Sequence, residues 1–244
     1  MRDKVLKGSW TSDDLEINKK WVIELNISDQ EDVIFATKHA LSLEKNIFEI
    51  TSNDFPLTHF LNKVDKARDE VESGLGFVIF RNLPVGLFDD KEVQYMLWGI
   101  GQYIGYPEVQ DKAGALLHIV TDTGSSVNKT DNIRGFQTNE ELQFHTDGAD
   151  VFALLCLRNA KSGGLSKLVS SVAVFNEIEK TRPDLSTILQ EDFYFDSRAQ
   201  NPNEDKYQKV PIFVKHDNLI SGLHKRRYIA VSYTHLTLPT TPYV

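Results

Sequence analysis

Phe144-His145-Thr146-Asp147-Gly148 is the most informative segment of the chain. In an extended segment residues i and i+2 project from one face, so the imidazole of His145 and the carboxylate of Asp147 can aim at one point. A nitrogen and an oxygen donor offered together suit a divalent first-row metal ion. As two members of a 2-His-1-carboxylate set they would leave coordination positions open on Fe(II). The triplet alone is weak: with seven His and 20 Asp in 244 residues, chance places a His-x-Asp in about one such sequence in two. In isolation, a hydrogen-bonded His-Asp pair at a strand end explains it at least as well.

The neighbouring segments narrow the choice. Asn139-Glu140-Glu141-Leu142-Gln143 precedes the triplet, and Asp150 to Arg158, Gly163-Gly164-Leu165-Ser166, Val169-Ser170-Ser171 and Pro183-Asp184-Leu185 follow it. Upstream stand Gly76-Phe77-Val78-Ile79-Phe80-Arg81-Asn82-Leu83-Pro84 and Ile104-Gly105-Tyr106-Pro107. In this order the segments, from about Pro56 to about Ala230, resemble the TauD/TfdA family of Fe(II)- and 2-oxoglutarate-dependent dioxygenases.

The resemblance implies a mostly β fold with flanking helices, a double-stranded β-helix or jelly roll of the clavaminate synthase-like kind, with iron at the mouth of the barrel. It implies that His145 and Asp147 are the first two metal ligands and that the Ser166 hydroxyl lies against the 2-oxoglutarate carboxylate. Thr121 to Glu141 would be a loop over the substrate, which makes Asn139 and Gln143 candidate substrate contacts. An ordinary turn serine at Ser166, and solvated or capping roles for Asn139 and Gln143, stand beside these readings. The implied partners are a small organic substrate and O₂.

Composition agrees with a folded globular protein: 41% hydrophobic and 25% charged residues leave disorder, collagen and coiled coil aside. A net charge of −8 repels phosphates and argues against a nucleic-acid or anionic-membrane binder. The longest apolar run, Val151 to Leu157, falls far short of the ~20 residues that span a bilayer. Met1-Arg2-Asp3-Lys4 opens no signal peptide, so the expected location is cytoplasmic. Oligomeric state stays open. The lone cysteine, Cys156, lies inside that apolar run and is expected to be a buried structural thiol.

Periodicity predicts strands at Trp21 to Leu25, Phe77 to Phe80, Ala115 to Val120, Phe144 to Leu157 and Lys167 to Ser170. A helix capped by Ser28 with Glu31 should carry Val33, Ala36, Ala40 and Leu41. A second, from Pro56, should end at Gly74 on a positive φ. A third should start near Asp89-Asp90 and end at Gly105. Further helices are expected over Val172 to Lys180 and Asp184 to Gln190, with Pro183 in a first turn. Thr121 to Glu141, lacking apolar periodicity, reads as a lid. Surface or partly buried structural roles are expected for His39, His59 and His118. His224-Lys225-Arg226-Arg227 reads as a solvated face.

The pattern departs from the family at its end. A facial triad needs a second histidine, usually placed well over a hundred residues after His-x-Asp, followed by an arginine that pairs with 2-oxoglutarate. Only 97 residues follow Asp147, and neither His216 nor His224 stands in a matching context. From Val231 the chain becomes a Thr/Leu/Pro-rich stretch that looks like translated sequencing-adaptor sequence. The expectation is therefore a truncated dioxygenase domain over 1–230 and a poorly packed, non-native tail over 231–244, inactive in this form. A non-catalytic jelly-roll binding or scaffold protein with a vestigial metal site is the alternative.

Overall fold

The computed structural model describes residues 7–111, 113–121, 141–197, 205–217 and 219–236. Its contacts divide into two units, Met1–Pro107 with Val151–Ser186 and Lys215–Ser221, and Glu108–Asp150 with Thr187–Val214 and Gly222–Val244.

In the first unit Asn26 and Asp29 cap each other. The Asn26 side chain accepts the Asp29 N–H at 2.9 Å, and the Asp29 carboxylate accepts the Asn26 N–H at 2.8 Å. This box starts helix α2 (Ile27–Ser42), which follows the short α1 (Ser12–Ile17). Ser28 and Glu31 therefore lie inside the helix rather than capping it. Asn is as good a cap as Ser, and starting upstream adds helical hydrogen bonds such as Gln30 N–H to Asn26 C=O, 3.0 Å. Val33, Ala36 and Ala40 face the core and are fully buried.

Strands β1 (Val22–Glu24) and β2 (Ile79–Arg81) pair in parallel, Val22 opposite Ile79. Helix α3 (Leu61–Ser73) is anchored at its start by the buried Asp32. That carboxylate accepts Thr58 N–H and Oγ1–H, both at 2.8 Å, and Phe60 N–H at 3.0 Å. The helix stops at Gly74 as expected, yet Gly74 has φ −104°, and the positive φ falls on Gly76 at +85°. What Gly74 supplies is room: a Cβ there would sit 2.4 Å from the Glu70 carboxyl, which accepts the Leu75 N–H.

Helix α4 (Asp90–Gly101) begins with a reciprocal Asp89–Glu92 box and buries Val93, Met96 and Ile100. It ends four residues before the expected Gly105, and tighter turns such as Ile104 N–H to Gly101 C=O carry the chain on. The backbone of Gly99 rests on the fully buried Phe55 ring. Helix α5 (Ser171–Thr181) is capped by Ser170 and buries Phe175, and α6 (Pro183–Ile188) starts on the expected proline.

The second unit is built on the antiparallel pair β3 (Asp192–Asp196) and β4 (Tyr207–Pro211), Tyr194 opposite Lys209. Helix α7 (Arg226–Leu236) packs on β3. Strands β5 (Phe213–His216) and β6 (Leu219–Gly222) form a further pair, of which Lys215–Ser221 falls in the first unit.

Four further expectations differ from the structure. The described residues hold seven α-helices and three two-stranded sheets, not a closed jelly roll. The segments 115–120, 144–157 and 167–170 are not strands. An apolar run reports a segment's own preference, whereas a strand also needs a neighbour to complete its ladder. Along 151–157 the side chains face solvent, Phe152 57% and Leu154 73% exposed. For the same reason Cys156 is exposed rather than buried, its Sγ 3.5 Å from Asn159 Oδ1. Finally, α7 runs past Ala230 without a break. Ser232 is fully buried and its hydroxyl donates to Tyr228 C=O at 2.6 Å. The stretch from Val231, expected to pack irregularly, is helical in its backbone as far as Leu236. Residues 237–244 and the greater part of the expected lid, 122–140, lie outside the described residues.

Candidate metal site

His145, Thr146 and Asp147 lie on an irregular segment of the second unit, held by residues 224–225 of the same unit. Thr146 N–H donates to His224 C=O at 2.9 Å, and His224 N–H donates back to Thr146 Oγ1 at 2.8 Å. This two-way clasp fixes the central residue of the motif and leaves both flanking side chains outside it.

His145 Nδ1 lies 2.7 Å from the carbonyl of Gln143. A carbonyl oxygen carries no hydrogen, so Nδ1 is the donor and Nε2 of the neutral ring keeps its lone pair. An imidazole oriented by a backbone carbonyl in this way is the usual arrangement of a metal-binding histidine. Gln143, expected as a substrate contact, thus takes part through its backbone. Asp147, 45% exposed at its side chain, has Oδ1 3.3 Å from Nζ of Lys225, which is only 23% exposed. The Lys225 ammonium also lies 5.3 Å from the centre of the Tyr228 ring.

In donor chemistry His145 and Asp147 suit two positions of an Fe(II) shell, an imidazole nitrogen and a carboxylate oxygen. Among the described residues no three His, Cys, Asp or Glu side chains converge on a metal position. His224, although its backbone clasps Thr146, does not complete such a group, and His216 is 85% exposed beside Asp217. Ser166 is exposed and follows Gly163 and Gly164, both at positive φ as their turn requires; it belongs to the other unit. Asn139 lies outside the described residues. His39 sits on α2, His59 in the turn before α3, and His118 pairs with Asp111 at 3.3 Å.

Lys225 is the residue that the sequence reading missed. Within His224 to Arg227 only Lys225 turns inward; Arg226 and Arg227 are exposed, as a solvated face would be. No signal in the sequence links it to Asp147, 78 positions earlier.

The profile of the Taurine catabolism dioxygenase TauD, TfdA family matches residues 42–243. The chain belongs to this family. The chain is 26% identical to FR-33289 synthase of Streptomyces rubellomurinus over 229 residues, covering 93% of this chain and 68% of that protein. It is 31% identical to the Taurine hydroxylase-like protein SAT17 of Stachybotrys chartarum over 128 residues, half of this chain and 33% of that protein. Membership in the TauD/TfdA family implies the jelly roll, of which the described residues show only separate strand pairs. Among those residues no helix is long and apolar enough to cross a membrane.

Proposed function

We propose that the chain carries the Fe(II)- and 2-oxoglutarate-dependent oxygenase chemistry of its family, acting on a small organic substrate, with His145 and Asp147 as two of the protein ligands to iron. The observation that supports this best is the Gln143 carbonyl on His145 Nδ1, which leaves the Nε2 lone pair for a metal, with a carboxylate two residues further along the chain. When bound, the metal would activate O₂, which is the oxidant, and the 2-oxo acid would supply two of the four electrons that O₂ takes up. The protein's share is to hold the ligands and exclude water. By the family resemblance, Asn139 and Gln143 are assigned to the substrate.

The two relatives carry names that point to different products, so the substrate class stays at small organic molecules. With two donors assigned by the motif and no group of three metal-ligating side chains among the described residues, we expect weak iron binding and little turnover from this chain. The test is iron- and 2-oxoglutarate-dependent succinate release by the chain and by Asp147→Ala. The reading expects little release from the chain and none above background from Asp147→Ala. Release that is undiminished in Asp147→Ala would overturn it.

The same missing donor, with a lysine on Asp147, favours a second reading in which the site is vestigial and the protein binds or scaffolds. Iron that binds through His145 and Asp147 counts against that reading. Iron that ignores both residues supports it.

A further inference from the structure

Asp147 already has a cation. Lys225 Nζ stands 3.3 Å from Oδ1, on a side chain three-quarters covered, and its position follows from the clasp. Thr146 and His224 exchange two hydrogen bonds of 2.9 and 2.8 Å, so the next residue on each side, Asp147 and Lys225, is carried into register with the other. The Tyr228 ring, 5.3 Å from the ammonium, braces it from the following turn of α7. A Lys whose stem is packed and whose head rests on a carboxylate is not a freely solvated charge.

We infer that Lys225 is an internal competitor for the metal: its ammonium holds the Asp147 carboxylate in a metal-free state and must leave before Asp147 can ligate a divalent ion. This rests on the reading of His145 and Asp147 as ligands. Two positive groups cannot both sit within bonding distance of one carboxylate oxygen without repelling each other. The clasp therefore sets the resting state of the site, and loosening residues 224–225 opens it. The size of the effect is bounded on both sides. An exposed ion pair sets a floor of about threefold in metal affinity. A fixed ammonium ~4 Å from a divalent ion in a water-like dielectric sets a ceiling of about thirtyfold.

Mn(II) binding to the intact chain, read from the loss of the free-ion electron paramagnetic resonance signal, tests this without turnover. Lys225→Met keeps the stem on Tyr228 and removes the charge, and it should bind Mn(II) about tenfold more tightly at low salt. That advantage should shrink to about threefold or less in ~0.5 M salt, where screening weakens the repulsion. Lys225→Arg should behave as wild type. Thr146→Val, which loses the hydroxyl acceptor of the clasp, should fall between. If Lys225→Met binds no more tightly than wild type while His145→Ala and Asp147→Asn lose affinity, the competitor role is wrong and the ligand reading stands. If His145→Ala and Asp147→Asn bind Mn(II) as wild type does, the ligand reading fails and the inference falls with it. Tighter binding by both Lys225→Met and Lys225→Arg would assign the effect to loosened packing and also overturn it.

Discussion

Gly99 and Gly101 lie two residues apart on α4, and alanine at each should move stability in opposite directions. In a helix interior alanine is favoured over glycine by about 1 kcal/mol. At Gly101, the last residue of α4, a Cβ meets nothing within 4 Å, so Gly101→Ala should gain about 0.4–1 kcal/mol, chiefly by restricting the unfolded chain. At Gly99 a Cβ would lie 2.1, 2.3 and 2.5 Å from three atoms of the Phe55 ring, more than 1 Å inside the ~3.5 Å of ordinary carbon contact. Phe55 is fully buried, which puts the overpacking cost near the upper end of the usual ~1–3 kcal/mol. Net of the helix gain, Gly99→Ala should lose about 1–2 kcal/mol. At roughly 3 °C per kcal/mol for a protein of this size, Tm should fall by about 3–6 °C, against a rise of about 1–3 °C for Gly101→Ala. Thermal unfolding followed by far-ultraviolet circular dichroism measures both. Phe55→Leu in the Gly99→Ala background should recover part of the loss, because the two changes share one contact. A Gly99→Ala variant as stable as Gly101→Ala would refute the packing of α4 on Phe55.

Three further outcomes follow from single contacts. Asp32→Ala strands the Thr58 and Phe60 N–H groups that the carboxylate now accepts, and should cost about 3 kcal/mol by urea denaturation; a loss under ~0.5 kcal/mol would contradict this anchoring of α3. Asp54 is drawn down from 3.8 to about 2, first by the Lys45 ammonium and then by the Thr51 N–H and hydroxyl. Because its folded pKa is depressed, its stabilisation is present above pH ~4 and is lost as pH falls toward 2. The Tm gap between wild type and Asp54→Asn should therefore close over that window, and a constant gap would reject the assignment. Cys156, exposed in the folded chain, should react with a thiol reagent in native buffer as fast as in denaturant, and strong native protection would restore the buried-thiol reading.

Helices were legible in the sequence where the signal is local. The stripes of α3, α4 and α5, the Asp89 cap and Pro183 need only residues a few positions apart, so periodicity and capping chemistry report them. The α2 cap misled because two acceptable boxes overlap, Asn26 with Asp29 and Ser28 with Glu31, and only the chain entering from β1 chooses between them. Strands were read less well. Phe77 to Phe80 and Trp21 to Leu25 became β2 and β1 because each finds the other across 57 residues, Val22 with Ile79, whereas Val151 to Leu157 has the same apolar character and no ladder. At the candidate site His145 and Asp147 were visible because their spacing is short. Lys225 was not, since its pairing depends on a clasp between Thr146 and His224 that no spacing rule encodes.

In the proposed site His145 and Asp147 hold one metal ion together. Anaerobic equilibrium dialysis of Fe(II) against the wild-type chain, His145→Ala and Asp147→Ala tests it directly. At most one iron should bind per wild-type chain, with at least about a tenfold loss of affinity in each variant, the usual scale for disturbing a metal site. The double variant should be no worse than the weaker single one, because either change alone breaks the shared site. Iron affinity unchanged by both substitutions would contradict the claim.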